Sequence, residues 1–172
     1  GNAPDIGAYE YGGEYWIPGI TWNIADTFGD DFIEPQAIAF KPTTKEELQT
    51  AVDLWVSDNT SALDNYGTIN SWDVSLITDM VDLFYDKTTF NDDIGNWDVS
   101  NVTDMTRMFR TCRNFNQDIS DWNVSSVTSM NEMFRDCWNF NQDISNWDVS
   151  NVTNLGGTFH DARKFNQDIS GW

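Results

Sequence analysis

Basic residues are scarce: nine lysines and arginines stand against 28 aspartates and glutamates, a formal net charge of −19. A field of that sign repels phosphate backbones and anionic headgroups, so nucleic-acid and membrane-surface binding are disfavoured. No apolar run reaches the ~18 residues of a membrane span, so no membrane insertion is expected. Two cysteines, Cys112 and Cys137, are too few for a disulfide framework. With a single histidine, His160, no nucleophile elbow, no phosphate loop and no zinc spacing, no catalytic constellation assembles, and the expectation is a chain that is not an enzyme. A signal peptide and an initiator methionine are also missing. The abrupt stop at Trp172 falls where another repeat could begin, so a piece of a longer polypeptide, covalently continuous with further domains, is expected.

Aromatic residues are plentiful, at 15%, and they recur. Trp72, Trp97, Trp122, Trp147 and Trp172 follow one another every 25 residues without a gap. Phe90, Phe115, Phe140 and Phe165 share a register, as do Phe84, Phe109, Phe134 and Phe159, and Ile69, Ile94, Ile119, Ile144 and Ile169. A unit of 25 residues cannot close a core alone, so copies must stack over a shared apolar interior. The period predicts an α/β solenoid, a leucine-rich-repeat-like stack of four coils with short parallel strands. "NQDISNW" alternates around isoleucine and is read as the strand. "SNVTDMTRMFRTC", with apolar residues spaced by three, is read as a short helix or 3₁₀ arc. Such a stack needs an end-cap. "TTKEELQTAVDLWVSDN" opens with a capping box, Thr44 and Glu47, and sets Leu48, Ala51, Val52 and Trp55 on one stripe. An amphipathic helix over residues 43–57 is therefore predicted at the N-terminal end, with "SALDNYGTINSW" as its connection to the first coil.

"MFRDCWNFNQDISNWDVSNVTNL" resembles the repeat of BspA-like surface proteins, and "KEELQTAVDLWVSDNTSALDNYGTINSWDVSLITDM" resembles the segment that opens such arrays. The likeness covers residues 41–172. It implies a leucine-rich-repeat fold on secreted or cell-surface proteins tied to adhesion and to binding of host or matrix components. A second likeness, of "APDIGAYEYG", is to the closing strand of pectate-lyase-type right-handed parallel β-helices. The domain reading is then 1–12 as the end of an upstream β-helix domain, and 13–40 as an aromatic junction containing Tyr15, Trp16, Trp22, Phe28 and Phe32. Residues 41–71 form the cap and 72–172 the repeats.

Each repeated polar or aromatic position admits two readings. The tryptophans can form a sugar platform or a core column, and their inward spacing favours the core. Asp93, Asp118, Asp143 and Asp168 can bridge coils through calcium or accept backbone N–H groups in turns. Cys112 and Cys137 fall in adjacent coils; parallel side chains favour two buried thiols over a bond, and the family pattern has a small residue here. Asn59, Asn101, Asn123 and Asn151 open glycosylation sequons, for which a turn role is the default.

Where the repeats differ, basic residues gather. Arg110, Arg135 and His160 share a register, and Thr88, Arg113, Trp138 and Arg163 share another, setting Trp138 between two guanidiniums. Arg and Trp are hot-spot residues, so this strip could hold an anionic polysaccharide or an acidic surface protein, or it could be a solvated edge paired with aspartates. The leading reading is a non-catalytic extracellular or cell-surface adhesion module. The alternatives are an accessory glycan-binding module of a β-helix polysaccharide lyase and a purely structural stalk. Ice binding is more remote, since no flat threonine ladder is present.

Overall fold

The computed structural model describes residues 39–172, together with the backbone of Trp16–Ile17 and Ile20–Thr21. The chain divides into two units, 1–37 and 38–172. In the first, β1 (Trp16–Ile17) and β2 (Ile20–Thr21) pair antiparallel, Trp16 opposite Thr21. The β-helix likeness of residues 3–12 and most of the aromatic junction lie outside the described residues.

The second unit opens with α1 (Lys45–Ser57). Its capping box is complete: Thr44 Oγ1 accepts from the Glu47 backbone N–H, and the Glu47 carboxylate accepts from the Thr44 N–H. These bonds satisfy donors that a helix start leaves free. Leu48, Ala51, Val52 and Trp55 are buried, the predicted stripe. The first half of the segment read as a connection, residues 61–66, belongs instead to a second helix, α2 (Asn59–Tyr66). Asp58 both ends α1 and caps α2, its carboxylate accepting from the Ser61 N–H and hydroxyl. The sequence "DNTS" is thus the capped start of a helix.

The repeats correct the expected fold class. They contain no strand and no helix among the described residues, so the chain is not an α/β solenoid of parallel strands. Parallel pairing is reduced to isolated single-residue bridges linking Asp79, Asp104, Ser129 and Asn154. These bridges fall at the start of the arc that was read as helical, while "NQDIS" makes no ladder of its own. The cause is the backbone. Asp82, Arg107, Glu132 and Gly157 in one register, and Asp86, Thr111, Asp136 and Asp161 in another, all have φ between 54° and 67°. A left-handed residue every fourth position converts the arc into consecutive turns.

Every second N–H then stays inside its own coil, Met108 to Met105 O and Arg110 to Arg107 O, for example. The intervening ones cross to the next coil: Met105 to Ser129 O, Arg107 to Asn131 O, Phe109 to Met133 O and Thr111 to Arg135 O. Alternate donors do the work of a sheet without extended strands.

Side chains supply the remaining rungs, which decodes the repeated words. Asn116 and Asn141 Oδ1 accept from Asn141 N and Asn166 N at 2.8 Å, and Gln142 Nε2 donates to Asn116 O. The indole N–H groups of Trp97, Trp122, Trp147 and Trp172 each reach the isoleucine carbonyl one coil back, as Trp122 to Ile94 O and Trp147 to Ile119 O at 3.2 Å. Inside, aromatic rings stack in columns. Trp122 and Trp147 lie 6.5 Å apart, Phe109 and Phe134 5.6 Å, Phe115 and Phe140 6.0 Å. Trp72, Trp97, Trp122 and Trp147 are all buried, the core reading of the ladder.

Thr111 is the one β-branched residue in these left-handed positions, at φ 66°. That conformation crowds its Cβ. Thr111→Asn is expected to stabilise the fold by about 1 kcal/mol, read as a higher urea midpoint. An unchanged or lower midpoint would show the strain is absorbed elsewhere.

Candidate functional site

The strip of basic residues lies along the turn-built arc, and its members divide into two groups. Arg110 and Arg135, one coil apart, both grip Glu132: Arg110 Nη1 lies 2.5 Å and Arg135 Nη1 2.7 Å from its carboxylate. Arg110 also sits over the Tyr85 ring at 5.6 Å. Arg135 Nε adds a looser contact, 3.6 Å from Asp136 Oδ2. All three principals are half-buried, so this is a structural clamp in which two guanidiniums share one carboxylate. For Arg110 and Arg135 the solvated-edge reading fits better than a ligand-binding one. Arg107 is likewise held by Asp82, through bonds of 2.7 and 2.6 Å, which keep the Asp82 carboxyl below its usual range.

Arg113 and Arg163 differ. Neither has a carboxylate at ion-pair distance among the described residues, and both are exposed. Their guanidinium carbons lie 4.3 Å and 4.0 Å from the Trp138 ring centroid. The register thus brings Arg113, Trp138 and Arg163 together. Trp138 is half-buried between the two guanidiniums. Its Nε1 is buried with no partner among the described residues. What the trio presents to solvent is guanidinium. Stacking uses the faces of a planar guanidinium and leaves its in-plane N–H donors available.

His160, exposed in the same coil as Arg163, has its ring nitrogen within 4.8 Å of carboxylate oxygens of Asp136 and Asp161. One imidazole and two carboxylates are donors suited to a borderline divalent metal. Sequence reasoning missed this grouping, although His160 and Asp161 are neighbours and Asp136 lies one period earlier. The Glu132 clamp is likewise hidden from the sequence, because Glu132 stands in the register of Asp82 and Arg107 and not in that of the two arginines it joins.

The remaining repeated groups serve the coils. Asp118, Asp143 and Asp168 each accept the N–H two residues on, at 3.0, 3.0 and 2.9 Å. Those backbone bonds hold the three carboxyls below the usual range, and for Asp143 they outweigh the repulsion from Asp118 and Asp168. This is the turn reading of the aspartates. Cys112 and Cys137 are free and buried, donating to Phe84 O at 2.8 Å and Phe109 O at 2.7 Å. Burial pushes both thiols far up from the ordinary range. Asn101 and Asn151 spend their amides on Ser75 O and Ser125 O of the preceding coil, 2.8 Å each, so these sequons act as spacers.

No helix among the described residues is long and apolar enough to cross a membrane. A family model described as "Mycoplasma protein of unknown function, DUF285" matches residues 52–172. No curated protein and no solved structure matches the chain.

Proposed function

The chain belongs to the DUF285 family of Mycoplasma proteins of unknown function, and from its geometry we propose that it is a non-catalytic recognition module of a larger secreted or cell-surface protein. Its ligand is an acidic glycan or an acidic patch on a surface protein, taken by Arg113 and Arg163. The observation that carries this reading is the trio itself: two guanidiniums with no carboxylate partner among the described residues, stacked on one indole and within about 8 Å of each other. Stacking fixes both side chains beforehand, so less rotamer freedom is lost when a ligand arrives. The surrounding body, at −19, opposes the approach of any anion. Recognition therefore rests on short-range bidentate contacts rather than on long-range steering. The likeness of the repeat to BspA-like surface proteins supports the extracellular location and the adhesive role.

A structural stalk is the second reading, favoured by how many polar side chains are spent between coils and by the Arg110–Glu132–Arg135 clamp. An array of acidic glycans separates the two. Against a captured glycan, Trp138→Ala and the double variant Arg113→Ala/Arg163→Ala are each expected to bind at least about tenfold more weakly. Arg107→Ala, off the strip, should bind as the parent does. Equal binding by all variants removes the strip from the account, and capture of nothing leaves the stalk.

A further inference from the structure

The nine lysines and arginines are not spent evenly. Lys41, Lys45, Lys87, Arg107, Arg110 and Arg135 each hold a carboxylate at ion-pair distance. Arg113, Arg163 and Lys164 have none among the described residues. All three are exposed, and they stand together where three successive coils make the same turn. Backbone bonds tie that turn from coil to coil, Asn139 N–H to Arg113 O at 3.1 Å and Lys164 N–H to Trp138 O at 3.2 Å. The register beside the arginines reads Asn114, Asn139 and Lys164, with the Asn139 amide nitrogen 3.5 Å from Asn114 Oδ1.

We infer that this row takes a linear acidic glycan laid along the stack axis, held at two acidic groups with one neutral sugar between them. The inference rests on the reading of Arg113, Trp138 and Arg163 as a ligand site and commits that site to one partner and one direction. Trp138 holds the two guanidiniums about 8 Å apart. The advance of an extended pyranose chain over two sugars is nearer that spacing than its advance over one. Carboxylates on adjacent sugars of such a chain point to opposite edges and cannot both meet one row of cations. Those on alternate sugars can. Each guanidinium then gives its in-plane N–H pair to one carboxylate, with Lys164 as a further charge beside Arg163. The neutral sugar falls over the middle coil, where the Asn114 and Asn139 amides can donate to and accept from its hydroxyls. A broad acidic protein surface fits less well. Asp136 and Asp161 stand two residues before Trp138 and Arg163, and a wide partner would meet those carboxylates as well as the row.

The test titrates the whole chain with hyaluronan oligosaccharides bearing one, two or three carboxylates on alternate sugars. Affinity is expected to rise at least about tenfold from one carboxylate to two, and less than about threefold from two to three. Arg113→Ala should abolish the first rise. Digalacturonate, with its two carboxylates on adjacent sugars, should bind no more tightly than the single-carboxylate oligosaccharide. A rise spread evenly over length, one that survives Arg113→Ala, or tight binding of digalacturonate overturns the two-point fit while leaving the row an acidic-glycan site. Tighter binding of a glutamate-rich peptide of equal charge overturns it in favour of an acidic protein surface. Binding of none of these probes overturns it together with the ligand reading of the trio.

Discussion

Replacing Phe109 with alanine is expected to cost about 4 kcal/mol and to lower Tm by roughly 10 °C. The ring is wholly buried and touches rings in its own coil and in both neighbours. Phe84 lies 5.3 Å away and Phe134 5.6 Å, their planes nearly parallel to it at 8° and 5°, with Phe115 at 4.2 Å and Trp122 at 6.2 Å. A cavity here cannot close by local collapse, since the coils above and below are held apart by the N–H to carbonyl rungs on either side of the ring. Phe165, stacked on Phe140 and Phe159 but half-buried in the last coil, sets the comparison. Phe165→Ala should cost about 1–2 kcal/mol, because a terminal unit has one neighbour instead of two. Urea denaturation of both variants measures the difference. Equal losses would mean that the columns do not share one core, and the stacked description would fall with them.

How much of this was legible follows from what a period carries. Recurrence at 25 residues shows which positions face inward, so Trp97, Phe109, Ile119 and Met130 could be assigned to the core from the sequence. The helix α1 could be placed from Thr44, Glu47 and the stripe of Leu48 and Trp55. The arrangement of Arg113, Trp138 and Arg163 follows from register alone. Recurrence carries no dihedral angles. Met105 and Met108, three apart, fit a helical turn and also two chain-linked reverse turns, and only the left-handed φ of Arg107 and Thr111 decides between them. Three of the four units place Asp, Arg or Glu at the first left-handed position and only the last has Gly157, so the usual glycine signal for such turns is absent. "NQDIS" reads as a strand because isoleucine alternates with polar residues. Its asparagine and glutamine instead make the intercoil bonds with their side chains, a role hydrophobic patterning does not register.

The cap offers the other large effect. Val52, fully buried on α1, is part of the same apolar cluster as the first coil, beside Trp55, whose ring meets Trp72 edge-on at 5.8 Å. Polar ties surround this contact: Lys45 with Asp79 at 3.0 Å, Lys87 with Asp53 at 2.5 Å, and Trp55 Nε1 with Asp92 at 3.1 Å. The two ion pairs are partly exposed and contribute little on their own, so the apolar stripe carries the attachment. Val52→Asp sets an unpaired carboxylate into that stripe and is expected to cost at least about 4 kcal/mol. Val52→Ala, which only removes methyl groups, should cost about 2 kcal/mol. The two variants should also differ in kind. A carboxylate that cannot be solvated in place favours release of α1, which bares the apolar face of the first coil and the carbonyl row behind it. Dye binding and concentration-dependent association are therefore expected for Val52→Asp and not for Val52→Ala. A Val52→Asp protein that stays monomeric and melts within a degree or two of the parent would show that the coils need no lid, and that α1 is an attachment rather than a cap.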